Sequence, residues 1–175
     1  MIRGLVLGSS ALGLALVGAS IAGVNLPLPH RDAPAEGTSS EVRVVAVVDG
    51  DTLRVETLVG DDLGRVRLLG IDAPEIAHPP ENAECYGATA LSVLEQLTPA
   101  GSTVVLVPDT GQDDRDRYGR LLRYVDVRGV DASQELRAAG AARLYDTSPE
   151  LARGDTHESA AGSAQEHDEG LWGNC

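Results

Sequence analysis

The 175-residue chain has no phenylalanine and no lysine, and aromatic residues make up only 3% of it. A core of packed aromatic rings is therefore excluded, and we expect an aliphatic core of valine, leucine, isoleucine and alanine. All 14 basic residues are arginines, against 27 acidic residues, and the formal net charge is −13. This balance argues against a broad basic surface for nucleic acid, because affinity for phosphate chains usually rests on such a surface.

Cysteine is also scarce, since the chain has only Cys85 and Cys175. Two cysteines in different contexts argue against a structural zinc site built on thiolates. An even count in a chain that we expect to be exported favours a disulfide, and two buried free thiols are the alternative. In the chain-entropy model, a bridge that closes a loop of this size stabilises the fold by about 4–5 kcal/mol.

Charge is absent from residues 4–27, an apolar stretch of small residues that follows a short basic start. This pattern predicts a signal peptide or a single membrane anchor over residues 1–28, and the small residues favour cleavage. Residues 29–40 are rich in proline, glycine, serine and alanine, which is typical of a linker. The folded domain is then residues 41–175. We expect it outside the cytoplasm, secreted if the segment is cleaved and membrane-anchored if it is retained.

Apolar and alternating segments predict strands over residues 41–48, 52–58, 65–71, 103–107 and 121–127. Leucines at helical spacing predict a helix over residues 83–97. Asp131 is a suitable cap for a second helix that Gly140 ends, and Ser148-Pro149-Glu150 predicts the start of a third. The order of these elements indicates an α+β domain built on a small closed β-barrel.

Oxygen ligands for a hard cation lie beside two of the predicted strands. Asp51 begins one strand and Asp72 follows another, and the ends of neighbouring strands in a meander can meet. Two carboxylates with a backbone carbonyl and water suit Ca²⁺. Taken alone, Asp51 is better explained as a hairpin-turn residue, and Asp49 as a turn residue that can also support the metal ligands from behind.

A carboxylate and two arginines add the chemistry for cutting a phosphodiester. Glu75 follows Pro74 on a stiffened loop, where it can take a proton from an attacking water; a solvent-facing acid is the alternative. Arg67 lies in an apolar strand and needs a carboxylate or a phosphate as its partner. Together with Arg120 it can hold a phosphate and stabilise transition-state charge. Tyr118 is placed either to contact a nucleotide or to pack.

In this order and strand context, the segments resemble the staphylococcal nuclease (thermonuclease) family. The matching segments are Asp49-Gly50-Asp51-Thr52, Arg67-Leu68-Leu69-Gly70-Ile71-Asp72-Ala73-Pro74-Glu75, His78-Pro79, Tyr86-Gly87, Asp116-Arg117-Tyr118-Gly119-Arg120, Gly140-Ala141-Ala142 and Leu171-Trp172. The resemblance extends over roughly residues 41–172. It implies a five-stranded OB-type β-barrel with about three packed helices.

The resemblance also implies a monomeric Ca²⁺-dependent endonuclease, a phosphodiesterase of the micrococcal type, that cuts DNA and RNA and leaves 3′-phosphate ends. It implies roles for the matching positions: Asp51, Asp72 and the backbone carbonyl of Ala73 as Ca²⁺ ligands, Glu75 as general base, Arg67 and Arg120 as phosphate clamps, and Tyr118 as a nucleotide contact. Asp49 and Thr52 are placed behind the ligands. The segment after Leu144 lacks the family's tyrosine pair and offers Tyr145 as the second candidate for a substrate contact. Ala73 replaces a threonine of the prototype, and the loop at residues 77–84 is acidic where the prototype is rich in lysine.

Two other interpretations of the chain stand beside the nuclease. One is a catalytically silent OB-fold module that binds a partner at the cell surface, which the acidic charge favours. The other is a purely structural exported domain, which leaves the strand-end arginines unexplained. Retention of every charged position of the site favours the nuclease over both.

Overall fold

A computed structural model describes residues 37–79, 81–145 and 150–175. The predicted export segment at residues 1–28 and most of the linker at residues 29–40 lie outside the described residues. Ser148 and Pro149 lie outside them too, but Glu150 does not, and the third helix, which was predicted to begin at Ser148-Pro149-Glu150, begins at Gly154 instead. Within the described ranges, no helix is both long enough and apolar enough to span a membrane.

Eight strands and four helices follow one another along the described chain. In order they are β1 (Ser40–Asp49), β2 (Thr52–Thr57), β3 (Asp62–Leu68), β4 (Ile71–Asp72), α1 (Gly87–Leu97), β5 (Thr103–Val107), β6 (Leu121–Val127), β7 (Val130–Asp131), α2 (Ala132–Ala138), β8 (Arg143–Leu144), α3 (Gly154–Glu166) and α4 (Leu171–Asn174).

Five of these strands close into a barrel. Strands β1, β2 and β3 form an antiparallel meander, and β1 also pairs with β5, which pairs with β6. A parallel pairing of β3 with β6 joins the two ends of the sheet. The five-stranded α+β barrel with helices packed on it is therefore confirmed as an OB-type fold.

The barrel core is aliphatic, as the lack of phenylalanine requires. Side chains of a strand alternate between its two faces, and bulges interrupt this alternation in β1 and between β2 and β3. Six inward-pointing residues of the first three strands are fully buried: Val42, Val44, Leu53, Val55, Val66 and Leu68. Helix α1 covers one end of the barrel through Ala90 and Leu94, which are fully buried in the same cluster.

The third strand ends earlier than its apolar run predicts. It was expected to continue to Ile71, but β3 ends at Leu68 because Gly70 adopts φ 79°, outside the β region. The imidazole of His157 occupies the space that a side chain at position 70 would fill. Ile71 and Asp72 then pair with β8 instead of continuing the barrel. Asp72 is therefore presented from a separate short strand.

The helix boundaries also shift from their predicted positions. Helix α1 begins at Gly87 and not at residue 83, because Tyr86 adopts a left-handed conformation with φ 74°. Asp131 caps α2 as predicted, and its carboxylate accepts a hydrogen bond of 2.8 Å from the backbone N–H of Ser133. The short strands β7 and β8 and the terminal helix α4 were not predicted, since two to four residues carry no periodic signal.

The disulfide between Cys85 and Cys175 is present, as the sequence predicts. The two Cα atoms are 5.9 Å apart, and the bridge spans 90 residues of sequence. It joins the loop that precedes α1 to the chain end that follows α4. The same loop carries Glu75, so the bridge fixes both the fold and a candidate catalytic segment.

Removing this bridge is expected to lower the free energy of unfolding by about 2–5 kcal/mol, because the unfolded chain gains the entropy of an open loop. The double variant Cys85→Ser/Cys175→Ser tests this by urea unfolding followed by circular dichroism. Wild-type protein unfolded with excess dithiothreitol serves as the control and should match the variant. An unchanged urea midpoint in the variant would contradict the expectation.

Candidate active site

Asp51 lies at the bottom of the site, in the tight turn between β1 and β2. Its Oδ1 accepts a hydrogen bond from the Thr52 hydroxyl at 3.0 Å, and its Oδ2 accepts one from the Ala73 N–H at 3.1 Å. Its own N–H donates to Asp49 Oδ1 at 3.1 Å. The carboxylate is buried. Gly50 permits this packing, since a Cβ there would lie 2.6 Å from the Cβ of Ala73.

Arg67 joins the two predicted metal carboxylates. Its Nη1 lies 2.9 Å from Asp51 Oδ2, and its Nη2 lies 2.9 Å from Asp72 Oδ1. The same guanidinium donates to the backbone carbonyls of Leu68 and Ile71 at 3.0 and 2.7 Å. Arg67 therefore neutralises one carboxylate from the β1–β2 turn and one from β4, and it links the two elements.

Burial and neighbouring carboxylates raise the pKa of Asp51 and of Glu75. Burial, against the effect of Arg67 and with the help of Asp49, raises the pKa of Asp51 to about 7. Burial also raises the pKa of Glu75; Asp49 and Asp72 add to this, while His78 and Arg67 oppose it. The site therefore holds more negative charge than Arg67 compensates. A bound cation would reduce the repulsion between its carboxylates.

Glu75 is held in place through its backbone. Its N–H donates to Glu84 Oε2 at 3.2 Å, and its carbonyl accepts from the Glu84 N–H at 2.9 Å. Glu84 is next to Cys85, whose disulfide anchors this part of the loop. The carboxylate of Glu75 itself is exposed. The loop thus presents a free carboxylate from a fixed main chain.

Arg120 is oriented by Asp116 from within the same turn. Asp116 accepts from Arg120 Nε at 2.7 Å and from the Arg120 N–H at 2.9 Å, and Gly119 closes the turn with φ 79°. Burial alone would raise the pKa of Asp116, but the hydrogen bonds from Arg120 hold it below its usual value. Arg120 Nη1 also donates to the Thr52 hydroxyl at 3.3 Å. Because Thr52 donates to Asp51, this hydroxyl connects Arg120 to the buried carboxylate.

An open cavity of about 430 Å³ brings most of these side chains together. It is lined by Arg67, Asp72, Glu75, Asp116, Arg117, Tyr118, Arg120 and Tyr145. Each tyrosine ring lies beside an arginine, since the guanidinium of Arg120 is 5.5 Å from the Tyr118 ring and that of Arg67 is 5.8 Å from the Tyr145 ring. Both rings are more than half exposed, so they offer flat faces to a ligand.

The structure thus places all predicted site residues in one region. Asp49, Asp51, Thr52 and Ala73 lie beneath the cavity, and the others line it. Sequence reasoning gave no role to Asp116 or Glu84, which orient Arg120 and Glu75. The signal for Asp116 was available, because an aspartate four residues before an arginine, with a glycine between them, is typical of a side-chain-closed turn. Glu84 had no comparable local signal.

A family model described as the staphylococcal nuclease homologue matches residues 65–174. The chain belongs to the staphylococcal nuclease family. It is 31% identical over 147 residues to a thermonuclease of Staphylococcus intermedius, covering 81% of this chain and 84% of that one. It is 33% identical over 149 residues to an uncharacterized protein of Methanocaldococcus jannaschii, covering 74% and 70%.

Another member of the family has a longer chain. Endonuclease YokF of Bacillus subtilis, described as prophage-derived, is 38% identical over 104 residues. These residues are 59% of this chain but only 34% of that endonuclease. The similarity to YokF is therefore to one part of a larger protein.

Proposed function

We propose that this protein is a Ca²⁺-dependent nuclease that hydrolyses phosphodiester bonds of DNA and RNA and leaves 3′-phosphate ends. The observation that carries the proposal is one cavity lined by a free carboxylate, Glu75, and by two arginines, Arg67 and Arg120, next to a pair of carboxylates, Asp51 and Asp72, suited to a hard cation. Membership of the staphylococcal nuclease family, and relatives named thermonuclease and endonuclease, support nuclease activity.

The residues present fit Ca²⁺. The guanidinium of Arg67 joins Asp51 to Asp72, and the N–H of Ala73 donates to Asp51, so two carboxylates and the peptide of Ala73 belong to one connected group. Oxygen-only donors of this kind are those that Ca²⁺ takes. We assign the ion to Asp51, Asp72 and the Ala73 carbonyl, with Asp49 and Thr52 fixing Asp51. When bound, Ca²⁺ would supply positive charge that polarises the scissile phosphate.

Glu75 is the candidate for the base. Its exposed carboxylate can accept the proton of a water molecule that attacks phosphorus, and its backbone bonds to Glu84 limit where that water can lie. Its raised pKa is closer to neutral pH, which makes it a better proton acceptor than an ordinary glutamate.

Arg67 and Arg120 are the candidates for the phosphate clamp. Asp116 and Thr52 engage Nε and Nη1 of Arg120, and none of the described residues bonds to its Nη2, which is left for a phosphate oxygen. Cation binding at Asp51 and Asp72 would release Arg67 from neutralising them, so that its guanidinium can turn to the substrate. Two guanidinium groups on one phosphate stabilise the charge that builds up in the transition state. Tyr118 and Tyr145 would stack on the flanking nucleotides.

Metal dependence is the direct test of this proposal. The purified protein is expected to cut single-stranded DNA and RNA with Ca²⁺, to stop when EGTA is added, and to recover when Ca²⁺ is restored. Circular dichroism in EGTA controls for unfolding. Full activity in chelator would overturn the metal mechanism. Binding of DNA without any cleavage would favour the silent OB-fold module instead.

Because the surface is acidic, KM for single-stranded DNA should depend only weakly on salt concentration. Residues 1–40 contain two arginines and two acids, so 12 arginines face 25 acids in residues 41–175, still −13. Ion pairs already engage several of these arginines, namely Arg43, Arg54, Arg123 and Arg153.

The arginines that line the cavity are Arg67, Arg117 and Arg120, which together offer about three phosphate contacts. At about 0.7 per contact for single strands, log KM should rise with log salt with a slope of about 2 or less. The measurement is KM for single-stranded DNA across a salt series at saturating Ca²⁺. A slope of about 4 or more would reveal a basic groove that the net charge conceals.

We further propose that the domain works outside the cytoplasm, released if residues 1–28 are cleaved and anchored in the membrane if they are retained. The Cys85–Cys175 bridge supports this, because disulfides persist in oxidising compartments. N-terminal sequencing of protein from the culture medium and from membranes separates the two forms. Protein found only in the cytoplasm, with both thiols free, would overturn the proposal.

A further inference from the structure

Three potential metal ligands of different chemistry converge beside the proposed Ca²⁺ carboxylates. Asp49, Glu75 and His78 each offer one ligand atom, and these atoms all lie within 4.8 Å of one another. Asp49 is buried, whereas Glu75 and His78 are exposed. The proposed mechanism uses Glu75 as the base and gives His78 no part.

The carboxylates of this cluster are not ion-paired with an arginine. Within the described residues, no ion pair includes Asp49 or Glu75, because Arg67 is engaged by Asp51 and Asp72. Two carboxylates that lie close together without a cation repel one another. A divalent cation held between them would remove that repulsion.

The backbone around the cluster is held in place. Asp49 Oδ1 accepts from the N–H of Asp51 at 3.1 Å, which fixes that carboxylate. Hydrogen bonds between Glu84 and the main chain of Glu75 fix the backbone that carries the Glu75 carboxylate. The carbonyl of His78 accepts from the N–H of Glu81 at 2.9 Å, which holds the backbone of the third residue. Only the exposed side chains of Glu75 and His78 must move to close on an ion.

The ligand set indicates which ion this is. Ca²⁺ takes oxygen ligands, whereas an imidazole together with carboxylates suits Zn²⁺, which binds nitrogen and oxygen at about 2.0–2.2 Å. Ligands around a tetrahedral Zn²⁺ lie about 3.3 Å apart at those bond lengths. The side chains therefore need to approach by about 1.5 Å at most, which rotation of two exposed side chains can supply.

We propose that Asp49, Glu75 and His78 form a Zn²⁺ subsite next to the Ca²⁺ ligands, and that Zn²⁺ bound there inhibits the nuclease by occupying Glu75. Zn²⁺ binding follows from the cluster alone, whereas the inhibition rests on the proposed function. A carboxylate that ligates Zn²⁺ has its lone pair engaged and cannot take the proton of the attacking water.

Zinc binding is tested first, without any measurement of activity. Zn²⁺ is titrated calorimetrically into the Ca²⁺-saturated full chain, into His78→Ala and into His167→Ala. His167 is an exposed histidine at the end of α3, and its ring contacts the Ser163 carbonyl outside the cluster. His78→Ala is expected to weaken Zn²⁺ binding about tenfold or more, while His167→Ala binds as the wild type does. Equal binding by His78→Ala and wild type would overturn the subsite.

Inhibition is then measured as the Zn²⁺ concentration that halves each protein's own zinc-free rate. That concentration should rise in His78→Ala by about the factor found in calorimetry, and stay the same in His167→Ala. Zinc binding that depends on His78 in a protein without nuclease activity would support the subsite and overturn the proposed function. Nuclease activity whose inhibition by Zn²⁺ is the same in His78→Ala and wild type would support the proposed function and overturn the subsite.

Discussion

Replacing Glu75 with glutamine is expected to lower kcat by about 10²–10⁴-fold, the usual contribution of a positioned general base. The amide keeps the size of the side chain and cannot accept the proton. Since the proton moves only in the transition state, kcat and kcat/KM should fall together while KM changes little. The fold should survive, because the Glu75 side chain is exposed and its anchoring bonds to Glu84 are made by the main chain.

The measurement is steady-state cleavage of single-stranded DNA at saturating Ca²⁺, with Ca²⁺ affinity determined separately by calorimetry. Glu81→Gln is the matched control, since Glu81 is an exposed glutamate of the same loop whose side chain does not line the cavity. The control should keep wild-type kcat. A Glu75→Gln variant that keeps wild-type kcat, or that loses activity only through weaker Ca²⁺ binding, would remove Glu75 from the role of base.

The barrel could be predicted from sequence because its signals are local. Strands β5 and β6 have the predicted boundaries, 103–107 and 121–127, since apolar runs bounded by turn residues define them directly. The end of β3 could not be predicted in this way. Its apolar run continues to Ile71, and the break at Gly70 depends on the imidazole of His157, which is distant in sequence. Tertiary contacts of this kind leave no periodic pattern in the chain.

The candidate site, like the barrel, has features that local sequence predicts and features that depend on tertiary contacts. Residue types at short spacing were enough to point to Asp51, Asp72 and Arg67 as members of one site. The sequence could not reveal that a single guanidinium links both carboxylates, because that depends on how β3 and β4 diverge after Gly70. The approach of His78 to Asp49 likewise depends on how the loop folds back over the β1–β2 turn.

Replacing Arg120 with alanine is expected to lower kcat by about 10³-fold or more, the range for losing a cationic donor to a phosphoryl transition state. Arg120 reaches Thr52, which contacts the buried Asp51, so its guanidinium is fixed relative to the metal ligands. Arg120→Lys should recover little of the loss, because an ammonium cannot bond Asp116 and Thr52 and still offer a third donor at the same position.

Arg65→Ala is the matched control for Arg120→Ala. Arg65 is an exposed arginine of β3, and it does not line the cavity. The Arg65→Ala substitution removes the same charge as Arg120→Ala, so a general electrostatic effect would lower kcat/KM equally in both variants. Only a specific role predicts a loss confined to Arg120→Ala. Circular dichroism and the urea midpoint show whether each variant is folded.

Asp116→Asn separates the positioning of Arg120 from its charge. The amide keeps the shape of the turn but weakens the 2.7 Å charge-assisted bond to Arg120 Nε. The guanidinium then stays cationic but samples other orientations, so kcat should fall by about 10-fold or more while KM for DNA stays within a few-fold, since misplaced groups cost rate more than binding. In the Arg120→Ala background, Asp116→Asn should have no further effect on kcat. An additive loss in the double variant would show that Asp116 acts on the reaction independently of Arg120.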